Sequence, residues 1–288
     1  MKRSSAAALA PGRSRAGPRP LLGGPAGVRA GREAAAKPLS AYVLHQYDWS
    51  ESSLILEVFT RERGRMAVAA KGAKRPYSQL RGVLLPFQRL LLGLGRGGDD
   101  VEVHTLRSAE WAGGAAMPDG GALFAGFYLN ELLLRLLARQ DPHAALFDAY
   151  AQLLPMLAVA DETRSQALLR AFELTLLRET GLLPELNCVT LTLQPVRAES
   201  RYRLQPETGI AGAPGGEPAL GGAQWVTLQA ALEHGSVDAL CAACLPVLPV
   251  LRASLRALLQ YHLGSAPLRT RQVMADLRRL LDPGVSPR

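Results

Sequence analysis

Eight cations stand between residues 61 and 89: Arg61, Arg63, Arg65, Lys71, Lys74, Arg75, Arg81 and Arg89, against one acid, Glu62. Tyr77 and Phe87 lie among them and Phe59 just before. Cations release counterions from a phosphodiester backbone, and rings offer stacking surfaces to unpaired bases. Within the run, Lys71-Gly72-Ala73-Lys74-Arg75 places three charges around a glycine that lets the main chain approach a ligand closely. A solvated strand face with ordinary sheet aromatics accounts for the same residues, so both readings stay open at this point. The nucleic-acid reading selects Arg65, Lys71, Lys74, Arg75, Arg81 and Arg89 for phosphates, and Tyr77 and Phe87 for stacking or for the core.

Other patterns carry less chemistry. Gly93-Leu94-Gly95-Arg96-Gly97-Gly98 fits G-x-G-x-x-G by letter, but a dinucleotide site needs a helix to follow at once. Here Asp99-Asp100-Val101-Glu102-Val103 follows, which reads as strand, so a glycine-rich hairpin turn is expected. Cys241-x-x-Cys244 lies in an Ala/Leu helix, and Cys188 is the only other thiol. Four ligands for a structural zinc are not on hand, and core packing is the expectation. Arg170, Leu174 and Arg178 share a helical face at i, i+4, i+8. They suit either an acidic peptide or pairing with neighbours such as Glu173 and Glu179. The five histidines are scattered, and neither a Walker A sequence, H-E-x-x-H nor G-x-S-x-G occurs. No catalytic constellation is found, which favours a binding protein over an enzyme.

These residues must be positioned by elements read from periodicity. Five strands are expected at 41–47, 53–60, 65–71, 83–94 and 100–106, within a span that shows no long helix. Five short strands suit a small closed barrel, and the OB-fold is the five-stranded barrel most used for single strands. From Asp119 the period becomes helical. Asp119, Asp141-Pro142 and Asp161 read as three helix starts, and Gly181 as a stop. Residues 184–224 break the pattern with short strands at 189–193 and 201–204 and a Gly/Pro-rich loop at 209–222. Helices resume near Thr227 and a last basic helix spans 270–281. The expected fold class is α+β: an N-terminal five-stranded OB-fold barrel at 40–118, then an all-α helical bundle at 119–288 with a small β/irregular insertion at 184–224.

Charge is unevenly placed. The formal net charge is +8. Residues 1–39 hold eight cations against Glu33 and form a low-complexity segment expected to be a disordered basic tail. The helical middle, 119–251, is acidic, with fourteen carboxylates to eight cations. Three cysteines make no disulfide framework, and the apolar run after Ser5 ends by Pro11, too short for a signal peptide core. The longest apolar run, Ala239–Leu251, contains two prolines and falls short of the roughly 20 residues a membrane span requires. A soluble, cytoplasmic protein is expected.

Ala41-Tyr42-Val43-Leu44-His45, the run Glu51–Thr60, Lys71-Gly72-Ala73 and Leu85-Pro86-Phe87 follow one another in an order that resembles the RecO family. Phe127–Leu134, Arg170-Ala171-Phe172-Glu173-Leu174 and Gly181-x-x-Pro184 continue the series. So do Tyr202–Gly209, Leu263-Gly264 and Leu268-Arg269-Thr270-Arg271. The resemblance covers about 40–281 and rests on the ordered set, since no single motif is diagnostic. It implies a bacterial, nucleoid-associated recombination mediator without enzyme activity. Such a mediator binds single- and double-stranded DNA, anneals strands, and works with RecR to load RecA onto DNA coated by single-strand binding protein (SSB). It also implies that the acidic, apolar SSB C-terminal tail docks on the helical domain. Arg170 matches the arginine of the family's R-x-F-E segment, and Arg178 joins it on the face argument. Metal-bearing members carry paired CxxC motifs in the insertion, whereas residues 184–224 here hold only Cys188, so neither zinc nor any other cofactor is expected. The 39-residue tail lies outside the family's usual pattern, which places the expected start near Leu39. Two other classes remain: an adaptor whose barrel holds protein, and an enzyme with a cryptic site such as a nuclease.

Overall fold

The computed structural model describes residues 37–95, 101–114, 116–213, 215–264 and 266–281, so the expectation for a disordered tail at 1–39 falls almost wholly outside the described residues. Strand β1 (Leu39–Asp48) pairs antiparallel with β2 (Leu54–Thr60), which pairs with β3 (Gly64–Ala70). A single helical turn, α1 (Leu80–Val83), precedes β4 (Leu90–Leu94) and β5 (Val103–Trp111). The five strands close into a barrel in the order β1-β2-β3-β5-β4, with β3 and β5 parallel. Ala41, Val43, Leu56, Val58, Met66, Val68, Leu90 and Leu92 fill it. Alternation puts Tyr42, Leu44 and Phe59 on the outer face, yet these too are buried, because the helical domain covers them.

That domain contains α2 (Gly120–Leu136), α3 (Ala144–Ala158), α4 (Glu162–Glu179), α5 (Gly222–His234), α6 (Val237–Cys244), α7 (Leu248–Leu263) and α8 (Arg269–Leu281). A three-stranded sheet is inserted between α4 and α5: β6 (Arg201–Gln205), β7 (Gly209–Gly212) and β8 (Leu220–Gly221), in the order β7-β6-β8. The α4 helix is the hub, buried along most of its length and capped at its start by the Asp161 carboxylate, which accepts from Arg164 N at 2.7 Å. The stretch Val237–Leu263 is long and apolar enough, by length and composition, to cross a bilayer. A 3-10 turn at Leu245–Val247 divides it, however, and Leu240, Cys244, Leu251, Leu255 and Leu259 pack into the helical core.

Barrel and helices share one apolar seam. Tyr42 meets Phe147 and Tyr150 at centroid distances of 5.3 and 5.0 Å, and Phe59 meets Phe147 at 5.4 Å. Polar ties flank the seam: Asn130 Nδ2 donates to the Leu44 carbonyl at 3.1 Å, and the Tyr150 hydroxyl donates to Asn130 Oδ1 at 2.5 Å. Arg61 donates twice to Asp148 at 2.9 Å, and Arg139 pairs with Glu57. Gly64 turns at φ +68°, and a Cβ there would lie 1.9 Å from the Asp141 carbonyl oxygen. Only glycine permits this approach.

Several boundaries differ from expectation. The expected fourth strand, 83–94, holds only at Leu90–Leu94, because Pro86 cannot donate to a ladder and Phe87 sits at φ +64°. The fifth strand runs on to Trp111, since the β4 edge pairs with it through Leu90↔Trp111 despite its polar outer residues. Asp141 does not cap the second helix: it lies against the Gly64 turn and α3 starts at Ala144. Residues 189–193 form a turn rather than a strand, with Leu193 at φ +58°, and α5 begins at Gly222 rather than near Thr227.

Candidate nucleic-acid interface

Strand β3 ends at Ala70 and delivers the chain into a loop, 71–79, against the β1–β2 connection. Gly72 turns it at φ +72°, and Ala73 is buried as an apolar plug. Two bonds fasten this loop to the β1–β2 connection: Lys74 N to the Ser52 carbonyl at 3.0 Å, and Gly72 N to Ser53 Oγ at 3.3 Å. Successive turns (Arg75 N to Gly72 O, Ser78 N to Arg75 O, Arg81 N to Ser78 O) lead into α1. Lys71, Arg75 and Arg81 are therefore exposed on one structured segment. Lys74 is partly covered and pairs with Asp48 at 3.0 Å. Tyr77 is 99% exposed, with both ring faces open to solvent.

The other expected contacts separate from this group. Arg65 is mostly covered: it donates to the Leu134 carbonyl and lies 4.0 Å from Glu57, which also holds Arg139. Its charge serves the barrel–helix junction. Arg89 is exposed but sits at the other end of β1, where its Nε donates to Ser40 Oγ at 3.1 Å. Phe87 is 1% exposed and lies under α2, against Phe127 at 5.1 Å. A Cβ on Gly126 would come within 2.7 Å of its ring. No face of Phe87 is free for a base, so it belongs to the core and not to the stacking set.

Exposed rings that the basic run did not point to lie on the barrel: Tyr47, Trp49 and Trp111. They fall outside the cationic stretch in sequence, and tertiary structure alone brings the first two beside it. The glycine motif ends β4, and its next element is strand β5; residues 96–100 are outside the described part.

On the helical domain, Arg170 is 5% exposed and pairs with Glu173 at 2.5 Å. Glu173 also accepts from the Tyr128 hydroxyl at 2.5 Å, and Arg271 reaches that hydroxyl at 3.0 Å. Burial pushes the Glu173 carboxyl up, against the pull of Arg170, and burial raises the Tyr128 hydroxyl as well. Arg178, by contrast, is exposed and donates to the Leu232 carbonyl at 2.7 Å. One helical side thus splits into a closed charge and an open one. A groove of about 290 Å³ lies between α7 and α8, with Arg256 and Arg271 beside Leu263 and Leu268. The α8 N-terminus at its edge is capped by the Glu131 carboxylate, which accepts from Arg269 N and Thr270 N.

Among the described residues no group of three or more His, Cys, Asp or Glu is placed to hold a metal ion. Cys241 and Cys244 are buried, and burial raises both thiols. The insertion is held by packing instead, with Leu186, Tyr202, Leu204, Ile210, Leu220 and Trp225 buried. Trp225 Nε1 donates to the Tyr202 carbonyl at 3.1 Å.

Comparison with known proteins places both halves of the chain. The family model described as Recombination protein O N terminal matches residues 38–115, and Recombination protein O C terminal matches residues 117–272. The chain is 55% identical over 253 residues to the DNA repair protein RecO of Verminephrobacter eiseniae, covering 86% of this chain and 100% of that protein. It is 55% identical over 249 residues to the protein of that name from Variovorax paradoxus, covering 83% and 96%. With the Acidovorax ebreus protein it shares 52% over 263 residues, covering 87% and 100%.

Proposed function

Because the chain belongs to the RecO family of DNA repair proteins, we propose that it is a non-enzymatic recombination mediator whose barrel binds DNA through the 71–81 segment. The single observation that supports this most is the joint placement of Lys71, Lys74 and Arg75 with the solvent-surrounded ring of Tyr77 on one fastened loop, and of Arg81 on the α1 turn that follows it. The cations meet phosphates of single or double strands, and a ring with two open faces meets bases once they are unpaired. Arg89, at the other end of β1, serves a continuing strand or duplex. A protein holding two complementary strands this way brings them together for annealing. Arg65 supports the junction instead of touching DNA.

The helical domain receives the acidic, apolar tail of SSB. Open cations beside apolar side chains, at Arg178 and along the α7–α8 groove, suit a peptide of that chemistry. Arg170 acts from beneath by holding Glu173 and Tyr128 in place. Cooperation with RecR and loading of RecA are carried over from the family, as is a cytoplasmic location on the nucleoid.

The test is charge reversal. The Lys71→Glu/Lys74→Glu/Arg75→Glu variant is expected to lose binding to labelled oligo-dT and duplex in fluorescence anisotropy while still binding an SSB-tail peptide. Unchanged DNA affinity, with the fold intact by circular dichroism, would move the adaptor reading to first place. Incubation with labelled DNA and divalent metal addresses the nuclease alternative, with no cleavage expected.

A further inference from the structure

Strand β1 carries one extra residue. Its register against β2 runs Val43↔Val58 and then His45↔Glu57, so Leu44 is a β-bulge. Up to Val43 the odd-numbered residues face the barrel interior, as Ala41 and Val43 do. Continued alternation would send His45 and Tyr47 inward as well. The bulge reverses the faces. His45 and Tyr47 now stand outside opposite Glu57 and Ile55, while Gln46 opposes the interior residue Leu56 and sends its amide to the Leu84 carbonyl. His45 and Tyr47 meet edge to face at 4.4 Å. Trp49 follows, its backbone fixed by bonds from Trp49 N and Ser50 N to the Ser53 carbonyl. Tyr47 is 49% and Trp49 57% exposed.

Exposed rings at the end of a barrel are common. Here a register change puts Tyr47 outside, Trp49 follows just past the strand end, and the cationic segment is fastened to the same connection. Lys74 pairs at 3.0 Å with Asp48, the residue between the two rings, and bonds through its backbone to Ser52 of the same connection. Resting on the reading that the barrel binds DNA, we infer that Tyr47 and Trp49, with His45 behind Tyr47, form a ledge on which unpaired bases stack while the 71–81 cations hold their phosphates. The ligand class is single-stranded nucleic acid. A duplex shows such rings only base edges, because its base faces are occupied by neighbours.

The full-length protein tests this directly. Its three tryptophans are Trp49, Trp111 and Trp225, the last fully buried. Oligo-dT is expected to quench the intrinsic emission, and the quench is expected to persist in Trp111→Phe and vanish in Trp49→Ala. Trp49→Ala/Tyr47→Ala is expected to lose at least about fivefold in oligo-dT affinity for each ring, the low end for a base stacked on an aromatic side chain. The salt dependence should stay unchanged, because no cation is removed, and duplex affinity should stay within about twofold. Trp49→Phe/Tyr47→Phe keeps the rings and should restore most of the single-strand affinity, which separates stacking from a folding defect. If wild type binds oligo-dT and the double alanine variant binds it equally, the ledge is wrong and the barrel reading stands. If wild type binds no oligo-dT at any salt, both fall.

Discussion

Lys71, Arg75 and Arg81 are exposed and have no carboxylate partner among the described residues, unlike Lys74 with Asp48 or Arg61 with Asp148. They are therefore the charges with most to give a phosphate, and Lys71→Ala/Arg75→Ala/Arg81→Ala is the cleanest perturbation. The side chains are outside both hydrophobic cores, so the fold should be untouched. On a single strand each neutralised phosphate contributes about 0.7 to the slope of log affinity against log salt. Raising salt from about 50 to about 200 mM then weakens binding by roughly 2.6-fold per contact, or about 18-fold for three. Over that range wild type should lose about 18-fold more affinity than the triple variant, with a slope steeper by about 2. Anisotropy of labelled oligo-dT at four or five salt concentrations measures both slopes. Parallel slopes would refute the assignment, since the three cations would then touch no phosphate whatever the absolute affinities.

Other outcomes follow from the junction and the buried charges. Gly64→Ala combines a positive φ with a Cβ overlapping the Asp141 carbonyl, so a loss of at least about 2 kcal/mol is expected in urea unfolding; a loss below 0.5, taken as about the scatter of surface substitutions, would mean that the approach is not retained. Arg170→Ala strands Glu173 in the core, at a cost of about 3–5 kcal/mol, so its effect on partner binding is inseparable from instability. Arg178→Ala should weaken SSB-tail peptide binding with stability and DNA binding unchanged, and equal loss of peptide and DNA binding would refute separate sites. Hydrogen bonds from Arg61 hold the Asp148 carboxyl below the usual aspartate range. A depressed carboxylate stabilises the fold above its unfolded pKa and loses that contribution as pH falls through the folded value. Asp148→Asn should therefore narrow the stability difference between neutral and acidic pH, by a small amount because the pair is solvent-exposed; an unchanged difference would show that the pair is not formed in solution.

Period and composition alone determined that strands precede helices, that the 61–89 stretch is cationic, that Asp161 opens a helix and that Gly181 follows its end. These are local matters: alternation of apolar residues, capping oxygens and charge counts do not depend on distant partners. The assignment of each charge was different. Arg65, Arg75 and Arg89 are alike in sequence, yet one is tied to Leu134 and Glu57, one is open to solvent, and one stands at the far end of β1. Phe87 and Tyr77 are ten residues apart in the same basic run, and α2 closes over the first while the second stands 99% exposed. Arg170 and Arg178 share a side of α4 by spacing, but the neighbours of that helix decide that one charge is sealed and the other is not. The outward aim of His45 and Tyr47 depends on a single extra residue in a strand register, which appears in the sequence only as weak alternation. Local chemistry set what each segment was able to form, and long-range packing set which side chains water can reach, because burial depends on residues a hundred positions away.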